Sequence, residues 1–341
     1  MENRIGFCYG DQHLKLTGSF LPYNNTGITG LSLQLENVLR GFKAVADEIK
    51  RVKPAFVVNL GDVFENYDVV PIQALHAAGV GMELVNKACE SLGIPHIIIM
   101  GNHDCVSLNP IITSLTVFSN DVCTVLTKPH QMILAGKRIG FLPFCDPDSL
   151  IAGWEQMASC DYVFSHNEFT GARYESGRES NNGVTTPEGP IIISGHIHLP
   201  QIVKNAYFPG ALVQNKFVER GELTYGMCSI DLNTKEVQFI RNTMSKHYVL
   251  CTSVEEALKH QPKAVLIKLY SGENREEVAV ALAEYTYMQK KPPQKREALE
   301  GEVDGEAQHE VHEPDDLLRE FVTVARPDAM EILTGIIGVA Q

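Results

Sequence analysis

Five apolar runs in this chain end in side chains that can bind a metal. Asp11 and His13 follow the run Ile5–Tyr9, Asp62 follows residues 55–60, Asn102 follows 96–100, His166 follows 162–165, and His196 and His198 follow 190–194. A carboxylate and an imidazole two residues apart at a strand exit can face one cation, and two imidazoles at the same spacing can reach two adjacent ones. The seven donors are carboxylate, amide and imidazole, with no thiolate among them. Such a set suits an open catalytic site for Mn²⁺ foremost, or for Mg²⁺, Fe or Zn²⁺, rather than a closed structural zinc. It is large enough for two divalent metal ions that share a bridging carboxylate and leave positions for water and substrate. Two ions about 3.5–4 Å apart can hold an attacking hydroxide and the non-bridging oxygens of an in-line phosphate displacement. The chemistry expected is phosphoester hydrolysis.

The elements that must position these groups alternate along the first hundred residues. Strand Ile5–Tyr9 is followed by an amphipathic helix over 33–51, a strand over 55–60, a second helix over 79–92 and a strand over 96–100. Right-handed parallel crossovers then bring Asp11, Asp62 and Asn102 to one sheet edge, because each follows the carboxyl end of its strand. Residues 138–143 read as a strand without a ligand. The polar stretch 168–189, with Arg173, Tyr174 and Arg178, reads as a mobile loop beside the site, and 14–30 reads as its rim.

Taken in order, D-x-H, G-D, G-N-H-D, a lone His and G-H-x-H resemble the calcineurin-like metallophosphoesterase superfamily over residues 5–200. Finer features resemble its Mre11/SbcD nuclease branch, including the phage exonuclease subunits: residues 10–14 (GDQHL), 61–64 (GDVF), 195–201 (GHIHLPQ), 207–211 (YFPGA) and 217–219 (FVE). The resemblance implies an α/β fold, a β-sandwich flanked by helices in four αββα layers, with a small α+β capping domain and C-terminal helices. It implies one ion on Asp11, His13, Asp62 and His198, and another on Asp62, Asn102, His166 and His196, with Asp62 as the bridge. His103 is then the catalytic group facing the scissile phosphate, with Asp104 orienting its ring. Where some nucleases of the branch carry a second catalytic histidine, this chain has Glu65, so the endonuclease activity tied to that histidine is not carried over. The implied function is a DNA exonuclease working in repair or recombination with a Rad50/SbcC-like ATPase, as a homodimer whose contact would involve the apolar stretch 111–118. The alternatives are a phosphatase or cyclic-nucleotide phosphodiesterase of the same superfamily and, ranked last, a non-catalytic scaffold.

Composition is compatible with these readings. The 341 residues are 44% hydrophobic, and no apolar run approaches the roughly 18 residues of a membrane helix, so a cytoplasmic address without membrane contact is expected. The eight cysteines are scattered singly, which points to reduced, buried thiols. Nine carboxylates and no Lys or Arg fall within 297–316, so most of the net charge of −13 sits there. This acidity argues against a broad basic DNA-wrapping surface. The expected organisation is a nuclease domain over 1–242, a DNA-capping domain over 243–290 with a helix over 273–288, an acidic flexible linker over 291–314, and a C-terminal helical segment over 315–341 that binds the ATPase. His76, His96, His130, His247 and His260 lack any ligand context and read as structural or surface residues.

Overall fold

The computed structural model describes residues 4–16, 31–105, 113–181, 183–215 and 225–290. All of these fall in one compact unit, Met1–Pro293. The second unit, Gln294–Gln341, lies outside the described residues, and with it the expected C-terminal helices and nearly all of the linker.

The first half runs β1 (Ile5–Tyr9), α1 (Leu33–Val52), β2 (Phe56–Asn59), α2 (Ile72–Glu90), β3 (His96–Ile99) and β4 (Cys123–Leu126). The second runs β5 (His130–Leu134), β6 (Lys137–Leu142), α3 (Pro147–Met157), β7 (Tyr162–Ser165), β8 (Ile191–Ser194), β9 (Gln201–Val203) and β10 (Ala206–Phe208). The strands β11 (Gly226–Asp231) and β12 (Val237–Arg241) return to the first sheet, whose order is β12-β11-β1-β2-β3-β4, and the second sheet is ordered β5-β6-β7-β8-β10-β9. β1, β2, β3 and β4 pair in parallel, so the turns after β1, β2 and β3 share one edge.

Continuous apolar strands arise because both faces of each sheet are covered. Phe56, Val58, Ile97 and Ile99 meet Ile139, Phe141, Phe164 and Ile193 between the sheets. The alternate residues Phe7, Tyr9, Val57 and Ile98 pack outward on Leu35, Val38, Phe42, Val45 and Ile49 of α1 and on the small face of α2. On the far side Leu150, Trp154 and Met157 of α3 cover Val163, Ile192 and Phe208. The layers are helix, sheet, sheet, helix, as expected. Ser32 accepts the Leu35 N–H at 3.3 Å and caps α1.

A third, parallel sheet, β13 (His247–Cys251), β14 (Val265–Tyr270) and β15 (Thr286–Lys290), carries α4 (Val254–Ala257) and α5 (Arg275–Ala281) over its own small core. Asn37 of α1 holds it to the first sheet's helix layer, accepting from Lys246 N–H at 2.6 Å and donating to Lys246 O at 3.0 Å.

Three local expectations are corrected. α2 begins seven residues earlier than expected, at Ile72, because its first turns expose Ile72 and Leu75 while burying only alanines, which blurs the apolar stripe. The helix expected over 273–288 stops at Ala281, since residues 286–290 pair with β14. Within the stretch proposed for dimer contact, Leu115 and Phe118 are buried in the core, so much of its apolar character is used internally. All eight cysteines are free thiols and seven are buried.

Candidate metal centre

The strand exits are built from backbone that ordinary residues avoid. Asp11, His13, Asp62 and His196 have φ of 53°, 48°, 52° and 78°. This left-handed conformation is costly for a residue with a Cβ and persists where surroundings enforce it. Here the turn after β1 is laced to the turn after β2: Asp11 N–H donates to Gly61 O at 2.9 Å, His13 N–H to Asp62 O at 3.0 Å and Leu14 N–H to Val63 O at 2.8 Å. Gly195 lets the turn after β8 close in, since a Cβ there would lie 2.8 Å from His166 Nδ1 and 3.0 Å from Asp11 Oδ2.

The exits bring all seven sequence-named ligands together. His13 Nε2 lies 2.9 Å from His198 Nε2, with Asp11 Oδ1 3.9 Å from the latter. His166 Nε2 and His196 Nδ1 lie 3.1 and 2.7 Å from Asn102 Oδ1. Between the two clusters sits Asp62, whose Oδ2 is 3.5 Å from His13 Nε2 and 3.2 Å from His166 Nε2. Asp11, His13 and His198 form one group able to hold an ion, and Asp62, His166 and His196 form another.

These residues fit a pair of divalent cations. Asp11 Oδ2 is buried with no hydrogen-bond partner, an arrangement that costs free energy unless a positive group completes it. His166 Nδ1 lies 2.6 Å from Leu60 O, so that nitrogen carries a proton. Although burial works against it, the Asp62 carboxylate beside Nε2 holds the ring up at about 9, so a cation bound at Nε2 would take the place of the second proton. Burial holds the His13 imidazole below its ordinary pKa, and burial with the nearby His166 charge brings His196 down to about 4. Both are therefore in the neutral, ligating form at pH 7. Burial pushes the Asp62 carboxyl up, but the surrounding His166, His13 and His103 outweigh it and hold it well below the usual carboxylate range.

Comparison with known proteins gives the family. Residues 9–200 match the model of the calcineurin-like phosphoesterases. The chain belongs to that family. Two viral relatives are both named as candidate phosphoesterases: 078R of Invertebrate iridescent virus 3 is 23% identical over 217 residues, covering 60% of each chain. Protein 244L of Invertebrate iridescent virus 6 is 24% identical over 173 residues, covering 47% of this chain and 58% of the other. The chain thus spans about three fifths of the length of these relatives. Among solved structures, the phosphoesterase YfcE of E. coli is similar at 14% identity and a TM-score of 0.33, covering 68% of this chain and 96% of the other. A dimetal phosphatase of Danio rerio is similar at 9% identity and a TM-score of 0.32, covering 66% and 91%.

In this calcineurin-like chain His103 lines the cleft beside Asp62, Asn102, His196 and His198. Its orientation differs from the sequence expectation. His103 Nδ1 lies 2.6 Å from the Glu65 carbonyl oxygen, to which it donates, and Asp104 does not hold the ring. Asp104 is wholly buried and accepts four backbone N–H groups instead, those of Asp62 (2.7 Å), Gly101 (3.0 Å), Val63 (3.0 Å) and Phe64 (3.4 Å).

The stretch expected to be a mobile loop contains a hairpin. Tyr174 N–H donates to Arg178 O at 2.9 Å and Gly177 N–H to Tyr174 O at 2.8 Å, while the Gln201 side chain clasps the Arg173 backbone at 2.8 and 2.7 Å. Its tip brings Tyr174, Glu175, Ser176 and Arg178 to the cleft, whereas Arg173 does not line it. Sequence reasoning missed Glu175, 3.2 Å from His198 Nδ1, and the Glu65 carboxylate, 3.1 Å from His13 Nδ1. A lone glutamate in a polar stretch carries no positional signal; only the hairpin reveals it. Among the described residues no helix is long and apolar enough to cross a membrane.

Proposed function

We propose that this chain is a two-cation phosphodiesterase that hydrolyses DNA from its ends. The observation that carries the phosphoesterase part is the position of Asp62, one carboxylate oxygen shared between two donor clusters. Bound there, two divalent ions would supply Lewis-acid polarisation of a phosphoryl oxygen and activation of water at neutral pH. Asp11, His13 and His198 would hold one ion and Asn102, His166 and His196 the other, with Asp62 between them. His103, fixed through Nδ1, presents Nε2 as the atom that exchanges a proton with the leaving oxygen. Arg178 on the cleft rim offers a guanidinium to a neighbouring backbone phosphate.

The DNA reading draws on the ordered motifs resembling the Mre11/SbcD branch and on the small α/β unit that follows the sandwich. Homodimerisation and assembly with a Rad50/SbcC-like ATPase belong to the same reading. A small-substrate phosphatase or cyclic-nucleotide phosphodiesterase is the second reading, favoured by a cleft of about 430 Å³, a size within the range of small-molecule sites. Incubation of the Mn²⁺-loaded chain with end-labelled duplex DNA, a small phosphodiester and a phosphomonoester separates them. Release of nucleotides from DNA ends supports the nuclease, whereas turnover of the small esters alone, with or without an ATPase partner, assigns the second reading.

A further inference from the structure

The two ion positions differ in what stands behind their histidines. His166 rests on a backbone carbonyl through Nδ1, and His196 turns Nδ1 itself toward Asn102. Neither is backed by a carboxylate. His13 and His198 both are: Glu65 Oε2 lies 3.1 Å from His13 Nδ1, and Glu175 Oε1 lies 3.2 Å from His198 Nδ1. Neither contact is aligned as a hydrogen bond, but a carboxylate this close favours the tautomer protonated at Nδ1, with the lone pair on Nε2. His13 Nε2 and His198 Nε2 lie 2.9 Å apart, so in that tautomer both would offer a lone pair to a cation between them.

The two glutamates arrive by unrelated routes. Glu65 sits just past the bridging Asp62 and is shared with Lys15, whose Nζ is 3.1 Å from the same oxygen. Glu175 comes from the tip of the hairpin pinned by Gln201. Their side chains are only 26% and 16% exposed, so solvent screens them incompletely.

We propose that Glu65 and Glu175 are positioning residues that lock His13 and His198 in the Nε2-ligating tautomer and make the Asp11–His13–His198 position the tighter of the two for a divalent cation. The proposal rests on the two-cation reading of the site. It also gives Glu65 a task in place of the second histidine found in some nucleases of the family: the Glu65 carbonyl holds His103 and its carboxylate holds His13.

Mn²⁺ titration of the metal-free full chain, followed by loss of the free-ion electron paramagnetic resonance signal, tests this. The wild type should bind two ions with distinct affinities. Glu65→Ala and Glu175→Ala should each weaken the tighter ion by about 10–100-fold and leave the weaker within about twofold. The greater loss should follow Glu175→Ala, because Lys15 neutralises part of Glu65. In a His196→Ala background, which retains Asp11, His13 and His198, the same loss should persist. Nitrogen-15 spectra of the metal-free protein should show the His198 ring protonated at Nδ1 in the wild type and redistributed between tautomers in Glu175→Ala. Glu179→Ala, an exposed carboxylate on the same hairpin, should change neither readout. Losses that fall equally on both ions, fall on the weaker ion, or are absent would overturn the assignment of Glu65 and Glu175. A wild type that binds no Mn²⁺ would overturn the two-cation reading itself.

Discussion

The Asp104 carboxylate lies directly under the Asp62 backbone, accepting its N–H at 2.7 Å, and the same carboxylate accepts from Gly101, Val63 and Phe64. One buried side chain thereby joins the turn after β2 to the turn after β3. Burial and the neighbouring Asp62 charge push its carboxyl up to about 7, against the pull of the Gly101 and Phe64 N–H donors and of His166. The consequence for Asp62 is a fixed backbone, with Oδ1 held by His103 N–H at 2.9 Å and Oδ2 left facing both donor clusters.

Asp104→Ala strands four buried N–H groups, and leaving buried donors unmet costs about 1–3 kcal/mol each before relaxation. Urea denaturation of the metal-free protein should show a loss of about 3 kcal/mol or more, together with weakened binding of both ions. Asp104→Asn keeps the shape but can accept with only one oxygen, and should lose less. If Asp104→Ala left stability unchanged and reduced only turnover, the clamp assigned to this residue would be wrong.

His103 meets the Asp62 carboxylate through its backbone N–H and holds its ring on the Glu65 carbonyl, with a ring nitrogen in reach of the His13 and Asp62 donors. His103→Ala should retain both ions while lowering turnover by about 10²–10⁴-fold, the range of a lost acid–base group. Asn102→Ala removes the oxygen that meets His166 and His196. It should therefore weaken one ion selectively. Metal analysis beside single-turnover kinetics separates the two effects, and loss of both ions in His103→Ala would defeat the division of labour.

The strand exits were legible in the sequence because each is a short apolar run stopped by a polar turn, and both faces of each sheet are buried. Parallel crossover geometry then makes Asp11, Asp62 and Asn102 neighbours without further information. The position of the Asp104 side chain was not legible: orienting a ring and clamping four amides need the same residue type at the same place, and only the folded structure separates them. Glu65 and Glu175 were illegible for another reason, because their partners lie 52 and 23 residues away in sequence from positions set by tertiary packing. Exposed apolar side chains at Ile72 and Leu75 hid the start of α2 in the same way, since periodicity reports burial rather than helicity.

Gly61 combines φ of +96° with crowding, because a Cβ there would stand 2.6 Å from Gly101 N and 2.8 Å from Ile99 O. Backbone atoms cannot move aside as a side-chain tip can. Gly61→Ala should destabilise the fold by more than the about 1 kcal/mol of the conformational term alone and displace Asp62. A variant with wild-type thermal stability and both ions bound would show that the two turns are looser than drawn.

His96 supplies the pH dependence that is independent of the ion site. It is fully buried at the start of β3, with Nδ1 2.7 Å from Asn86 Oδ1 and Nε2 3.1 Å from the Tyr9 hydroxyl, and burial pulls its pKa down to about 3. A histidine in the unfolded chain titrates near 6.5. Between these values the unfolded state binds a proton that the folded state refuses, so stability is present in full above about 6.5 and falls as pH drops toward 3. The slope is about 1.4 kcal/mol per pH unit, giving a loss of about 2 kcal/mol between pH 7 and pH 5 from this residue. Because the ligating histidines also titrate, the measurement is a difference: urea denaturation of metal-free wild type and His96→Gln at both pH values. The variant should be less stable at pH 7 yet lose about 2 kcal/mol less on acidification. Equal losses in the two proteins would mean that His96 takes up its proton in the folded state, and that its hydrogen bonds to Asn86 and Tyr9 tolerate an imidazolium.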